Sequence, residues 1–506
     1  MKHLPSLLVI GALALALHAQ TPPPKPADTP QPKPSGDPFV KNPNAEATKK
    51  ADGQNDWTQC VVTLDAYAMD KNDAAELLQT ERGSAARYRR VLELAKAGKA
   101  RLALFEGLTT KGGQRAMVEA NDDVRYPAEF APPATAKGQL TPTAWETRSV
   151  GDTLELEPVI LPDGKTCDLS LVPAHSGLVE FRDVPQMAGG LTASQPIFST
   201  QKITTAVSTR AGEPYYLGTM SPATPQGADN GTAASEIWLA FLHNDIQGPP
   251  PGGVKARVQK RPAVKQQDAG PVDAVDLTFT CYSVERDVAR DLLVESGSMT
   301  APWEKVKKLL AEKKARLEHV STIKTLSGQR AVTEEIHEFR YLSEYAAEHR
   351  RESTEHTERT VTNRVGEKPA APKPDTASTS TETITTTRTN ADAEIVPGLP
   401  SAFETRNVGF TVEVEPVVGP DLMTVDINCA VQSVVLAGNL KVTGSAAHSP
   451  EQPVFQSSRI TTSISLPLEQ PVWLSTLNPP GADGVNDRTD TGRTYLLFVE
   501  ATLGEP

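Results

Sequence analysis

The chain has 506 residues, 42 prolines, a formal net charge of −12 and an isoelectric point near 5.4. It is long enough for two or three domains, and its acidic balance argues against a nucleic-acid binder, which presents a basic face. Proteins are the partners that this composition leaves open.

Lys2 and His3 precede an apolar run from Leu7 to Leu17 and then His18-Ala19. This order reads as a signal peptide over residues 1–19, cleaved after Ala19. The run is too short to cross a hydrocarbon layer of ~30 Å as a helix. No cysteine stands directly after it, and no later segment is long and apolar enough to span as a helix. The expectation is export, with membrane contact doubtful and confined to strands. Residues 20–55, rich in Pro, Lys and Asp, read as a disordered tether.

Thr58 to Met69 alternates as a strand, and Asp73 to Leu78 fits a short helical turn. Tyr88, Val91, Ala95 and Leu102 follow at helical spacing, with Arg89, Arg90, Lys96 and Lys99 off that face, which predicts an amphipathic helix of about four turns. Leu102 to Val118, centred on Gly112-Gly113, reads as a hairpin, and Pro127 to Pro142 as a polar loop. Trp145 to Pro158 is a strand with one apolar face, followed by a Pro162-Asp163-Gly164 turn and a strand from Cys167 to Leu171. Pro196-Ile197-Phe198 leads into a strand from Ile203 to Val207, and Glu213 to Met220 and Ile237 to Leu242 complete the unit, residues 56–247. Residues 248–271 read as a linker.

The remainder, residues 272–506, repeats this plan. Phe403 to Pro416, FETRNVGFTVEVEP, matches Trp145 to Pro158, WETRSVGDTLELEP, at nine of fourteen positions. Unrelated sequences agree at roughly one position in fifteen to twenty, so this is an internal repeat. Leu78 matches Leu293 and Gly113 matches Gly328 at an offset of 215, and the helix returns as Trp303, Val306, Leu310 and Leu317. The offset at Phe403 is 258, so the second copy carries 43 more residues, placed at about 349–393. That segment is Thr, Ser, Glu and Arg with almost nothing to bury, and is expected to be disordered. Strands resume at Pro453 to Phe455, Ile460 to Ile464, Val472 to Leu477 and Tyr495 to Val499. The fold class expected is α+β and β-rich: two tandem units, each a strand, helix and hairpin followed by antiparallel strands.

Cys60, Cys167, Cys281 and Cys429 are disulfide candidates in an oxidising compartment. Four cysteines allow three pairings. Two fall in each unit, which favours Cys60 with Cys167 and Cys281 with Cys429, against the alternative of four buried thiols. No close Cys–His spacing suits zinc. No nucleophile elbow, zinc-protease helix or phosphate loop occurs. His175, His243, His319 and His337 share no metal-binding spacing, and Asn486, Asp487 and Asp490 miss the calcium-loop pattern. The pairs Glu155/Glu157 and Glu413/Glu415 each share a strand face and read as surface charge that discourages edge pairing.

Four stretches together resemble the core domain of bacterial secretins, the outer-membrane gates of type II and type III secretion and of type IV pili. They are Leu317 to Ala331, with its Gly-Gln before Ala; Val150-Gly151 to Pro158 and its match from Val408-Gly409 to Pro416; Pro196 to Thr205 followed by Gly212 and Leu217-Gly218; and the apolar final strand. The chain departs from that family in having two cores and none of the small N-terminal modules. It also lacks the glycine pair after Leu217 and any apolar-out stretch where the family places its membrane-facing hairpins. The resemblance implies a non-enzymatic, exported scaffold without cofactors, an accessory of an envelope secretion or pilus-type assembly. It would be periplasmic or outer-membrane associated and act through protein partners or self-association. The alternatives are a multimeric outer-membrane channel and an extracellular ligand- or protein-binding module.

Overall fold

The computed structural model of the chain describes residues 58–131, 140–185, 192–221, 236–248, 274–346, 349–351, 354–362, 381–389, 394–396, 400–419, 422–440, 451–478 and 492–503. The expected signal peptide, the tether, nearly all of the linker 248–271 and the residues Asn486, Asp487 and Asp490 lie outside them.

The first half runs β1 (Gln59–Asp70), α1 (Lys71–Thr80), α2 (Ser84–Lys96), β2 (Ala100–Lys111), β3 (Ala116–Ala131), β4 (Thr141–Ile160), β5 (Thr166–Pro185), β6 (Thr192–Lys202), β7 (Thr205–Arg210), β8 (Tyr215–Met220) and β9 (Glu236–Gln247). The second runs β10 (Ala274–Glu285), α3 (Arg286–Ser296), α4 (Ala301–Ala311), β11 (Arg316–Leu326), β12 (Ala331–Tyr345), β13 (His349–Arg351), β14 (Thr354–Thr362), β15 (Thr381–Thr389), β16 (Glu394–Val396), β17 (Pro400–Val418), β18 (Thr424–Leu440), β19 (Gln452–Pro467), β20 (Val472–Thr476) and β21 (Arg493–Leu503). The chain is β-rich with four helices among the described residues, as its alternation patterns indicated.

The strands form two large sheets packed face to face. One has the order β11-β10-β21-β20-β2-β1-β9-β8, the other β12-β17-β18-β19-β3-β4-β5-β6, with β7 also on β5. Leu64, Leu154, Leu169, Leu277, Val412, Ile427, Ile460 and Phe498 belong to one continuous core between them. The helices cover the outer face of the first sheet. Tyr88, Val91 and Leu94 of α2 pack with Tyr67, Met69, Leu239 and Phe241. Strand β1 therefore has both faces covered and is buried along nearly its whole length, although its sequence alternates. A side chain buried in this way stabilises the fold by about 1.5–3 kcal/mol.

Three expectations are corrected. The segments flanking Gly112-Gly113 do not pair as a hairpin. Strand β2 joins the first sheet beside β1 and β20, and β3 joins the second beside β4 and β19. Gly113, at φ 74, turns the corner between layers and donates its N–H to Pro158 O at 2.6 Å. Gly328 does the same at φ 77, donating to Pro416 O at 2.7 Å. Alternation around a glycine pair is common to a corner and a hairpin; the distant partner strands decide. Second, the helix α2 ends at Lys96, and Leu102 and Leu317 lie in β2 and β11. Third, strand pairing reaches into both proline- or threonine-rich intervals. The ladder of β3 with β4 extends to Ala131↔Thr141, and the interval 349–393, expected without structure, carries the antiparallel pair β14–β15 and the strand β13, which pairs with β16 just beyond it. Backbone pairing of two long arms requires no buried side chain, which is why composition missed it.

Candidate assembly edges

The seam between the halves is built mainly from β2 and β3 of the first and β20 and β19 of the second, with one further pairing of β12 with β4 at Glu344↔Ala144. Strand β19 pairs with β3 from Phe455↔Asp123 to Thr461↔Met117. Strand β20 meets β2 at Leu108↔Ser475 alone. Side chains close the rest of that ladder. Thr109 Oγ1 donates to Trp473 O at 3.0 Å, Ser475 Oγ to Gly107 O at 2.9 Å, and Asn478 Nδ2 to Phe105 O at 2.8 Å. The Thr476 hydroxyl donates to the Glu106 carboxyl, and Asn478 Nδ2 lies 3.2 Å from Glu106 Oε1. Burial pushes the Glu106 carboxyl up to about 8, and the hydrogen bonds from Thr476 and Asn478 only partly oppose it.

Charged contacts lock the rest of the seam. Arg125 Nη1 sits 2.7 Å from Glu404 Oε2, Arg406 Nη2 2.6 Å from Asp123 Oδ2, and Lys111 Nζ 2.8 Å from Asp426 Oδ1. Arg290 reaches from α3 of the second half into the first, donating from Nε to Tyr88 Oη at 3.2 Å. Tyr88 in turn donates to Asp65 Oδ2 at 2.8 Å, and His243 Nε2 stands 3.2 Å from Asp65 Oδ1. Burial, then the Asp65 charge, pushes the Tyr88 phenol well above its ordinary range. Removing one member would leave a buried charge unmatched, which is the costly event at such a cluster.

The strand orders of the halves match. In the first sheet β2-β1-β9-β8 runs parallel in role to β11-β10-β21-β20; in the second β3-β4-β5-β6 does so to β12-β17-β18-β19. Arg115 pairs with Glu155, and Arg330 with Glu413, at the same place in each half. The strands that meet at the seam therefore have counterparts at the ends of the two sheets; no described strand pairs with the outer side of β11, β8 or β6–β7, whereas β12 pairs with β4 at its far end, Glu344↔Ala144. Phe105 of β2 is 2% exposed and its counterpart Val320 of β11 is 50% exposed. Leu317 and Leu326 of β11 are exposed on the same edge, and Val332 is exposed on β12 of the other sheet. Every residue of β20 is buried, whereas only Met220 of its counterpart β8 is.

The remaining residues read from the sequence are dispersed. All four cysteines are buried thiols. Cys60 and Cys167 face each other with Sγ atoms 4.0 Å apart, whereas Cys281 and Cys429 lie on β10 and β18, in different sheets, as separate thiols. His175 Nδ1 is 2.8 Å from Asp152 Oδ1, His243 belongs to the Asp65 cluster, His319 lies against the Phe410 ring, and His337 is on β12 opposite Val408. Glu155 and Glu413 lie on β4 and β17, which are interior strands, so their partners are the arginines named above and edge protection is not their role. Among the described residues no cluster of three or more His, Cys, Asp or Glu is placed to hold a metal ion. None of the described helices is long and apolar enough to cross a membrane. Sequence reasoning missed Glu106, Asp65 and Arg290; a charged residue inside an otherwise apolar strand was the available signal for the first two.

No family model matches the chain, and no curated protein matches it. Among solved structures it is similar in part to secretins. The type IV competence pilus secretin PilQ of V. cholerae is 14% identical with a TM-score of 0.19, over 38% of this chain and 60% of that one. The type II secretin GspD of enteropathogenic Escherichia coli is 12% identical with a TM-score of 0.19, over 40% and 74%. Aeromonas hydrophila ExeD is 13% identical with a TM-score of 0.19, over 40% and 51%. The chain thus spans between about half and three quarters of these secretin chains.

Proposed function

We propose that this protein is a non-enzymatic, exported scaffold of the cell envelope, made of two tandem secretin-like units, and that it works by edge-to-edge self-assembly. The observation that carries the reading is the seam: each end of the two sheets has the strands of one side of that seam, and β12 is paired there only at Glu344↔Ala144, beyond the stretch that matches the seam. Strands β8 and β6–β7 stand where β20 and β19 stand, and β11 and β12 where β2 and β3 stand. A contact of this head-to-tail kind generates a ring or a filament. Carrying the seam register over to two chains sets Lys202 opposite Glu334, as Arg459 stands opposite Glu119, and Gly218 opposite Ile323, as Ser475 stands opposite Leu108. The sequence motifs shared with secretins support the envelope setting.

The test is light scattering and negative-stain microscopy of the mature protein purified without detergent. Rings or filaments are expected, weakened by Lys202→Glu or Glu334→Lys alone and recovered when the two variants are mixed. A discrete monomer at all concentrations overturns the reading. A second reading, an outer-membrane channel, is favoured by the paired strands β13–β16 and β14–β15 in the interval where secretins carry membrane-facing hairpins. Assembly that requires detergent, with a lumen, would select it.

A further inference from the structure

The cysteines of the first half differ from those of the second in one respect that concerns chemistry. Cys60 on β1 lies opposite Thr110 and Ile246, and in the second half Val275 on β10 lies opposite Thr325 and Leu503 at the same ladder position. Cys167 on β5 lies opposite Ile160 and Thr209, and Val425 on β18 lies opposite Val418 and Leu466. All four positions are 0% exposed. The two halves thus differ at both of these equivalent positions, which hold buried valines in one and buried cysteines in the other. Cys281 and Cys429 show no such pairing, since they stand where the first half has Ala66 and Leu171.

We infer that Cys60 and Cys167 form a disulfide that staples the two sheets of the first half. Their Sγ atoms are 4.0 Å apart, so forming an S–S bond of ~2.05 Å brings them about 2 Å closer. The cysteines come from different layers and are 107 residues apart in the chain. A bridge between them closes a long loop in the unfolded chain, where cross-linking restricts the chain most. The oxidant is a protein or small-molecule disulfide of an oxidising compartment. One thiolate attacks it and releases one thiol, and the second cysteine then displaces the other. Two electrons and two protons pass to the oxidant, and one S–S bond is exchanged for another. Complete burial of both sulfurs sets the order of events: exchange precedes closure of the sheets, and the finished bond is then out of reach of soluble reductants. Cys281 and Cys429 stay thiols. This inference does not depend on assembly.

The experiment uses the full chain expressed with export to an oxidising compartment, denatured in iodoacetamide without reductant and digested for mass spectrometry. A cross-linked Cys60–Cys167 peptide with alkylated Cys281 and Cys429 is expected. Four alkylated cysteines, or a bridge that includes Cys281 or Cys429, overturn the inference. The double variant Cys60→Val, Cys167→Val copies the second half's own packing and keeps the fold. Wild type reduced in denaturant and refolded in reductant should melt several degrees below the oxidised protein, and the double variant treated in the same way should be unchanged. A wild type that melts equally with and without reductant overturns the stapling role.

Discussion

Strands β2 and β11 have the same neighbours by role, follow similar helix pairs and end at the same glycine corner, yet one is buried and the other is not. Phe105 is 2% exposed and its counterpart Val320 50%, and Leu108 is fully buried where its counterpart Ile323 is half-buried. The difference comes from what lies beside them: β20 covers β2, and no described strand covers β11. Local sequence of similar apolar character thus yields a core strand or an open edge according to its neighbour. The helix side shows a second contrast. Tyr88 and Asp65 meet Arg290 in the first half, whereas the corresponding Trp303 packs on Tyr282 and Phe498 in the second. A polar cluster tied to the other half replaces an apolar one that is self-contained.

The comparison is broken most severely at Trp473, which is fully buried beside the seam. Trp473→Ala should cost about 3–5 kcal/mol in a urea titration, and Tyr216→Ala at the half-buried counterpart clearly less. Equal costs would mean that the seam adds nothing to β20. The glycines of the shared strand should instead behave alike. A Cβ at Gly151 would lie 2.0 Å from Ala120 O and one at Gly409 1.9 Å from Glu335 O, at φ 144 and 143. Gly151→Ala and Gly409→Ala are each expected to cost at least about 1–3 kcal/mol from the backbone conformation alone. A large disparity in their unfolding midpoints would show that the two strands are not held in the same way.

The seam carboxyl sharpens the contrast through pH. Glu106 has a folded value of about 8 against 4.5 unfolded, so the folded state keeps a proton that the unfolded state loses. Its contribution is fully present below about 4.5, is lost as pH rises toward 8 and changes no further above that. The slope is up to ~1.4 kcal/mol per pH unit. Glu106→Gln should flatten the urea midpoint between pH 5 and 8, and an unchanged slope would assign the pH dependence elsewhere. The smallest effect is expected at the open edge. Val320→Lys should move stability by no more than about 0.5 kcal/mol while reducing assembly measured by light scattering; a large stability loss would mean that the edge is already covered.

Much of the local structure was legible. The alternation in Trp145 to Pro158 and Phe403 to Pro416 located β4 and β17, because a strand between two packed layers must place apolar residues on one face. The Pro162-Asp163-Gly164 turn was legible for the same kind of reason. Asp163 accepts from the backbone N–H groups of Lys165 and Thr166, and these bonds, after the one from the Thr166 hydroxyl, hold its carboxyl down at about 2. The seam was not legible, since Glu106 and Thr476 are 370 residues apart and nothing in either segment names the other.

The amino-acid order by itself determined the repeated motif, the positions of most strands and helices, and the glycines at which the chain turns. These depend on periodicity and on backbone conformations that few residues adopt, both of which are written locally. Only the tertiary structure decided that Gly113 and Gly328 turn between layers, that Glu106 and Asp65 are buried, and which edges are covered. Those outcomes depend on which distant strand arrives alongside, and a strand's own alternation leaves that choice open.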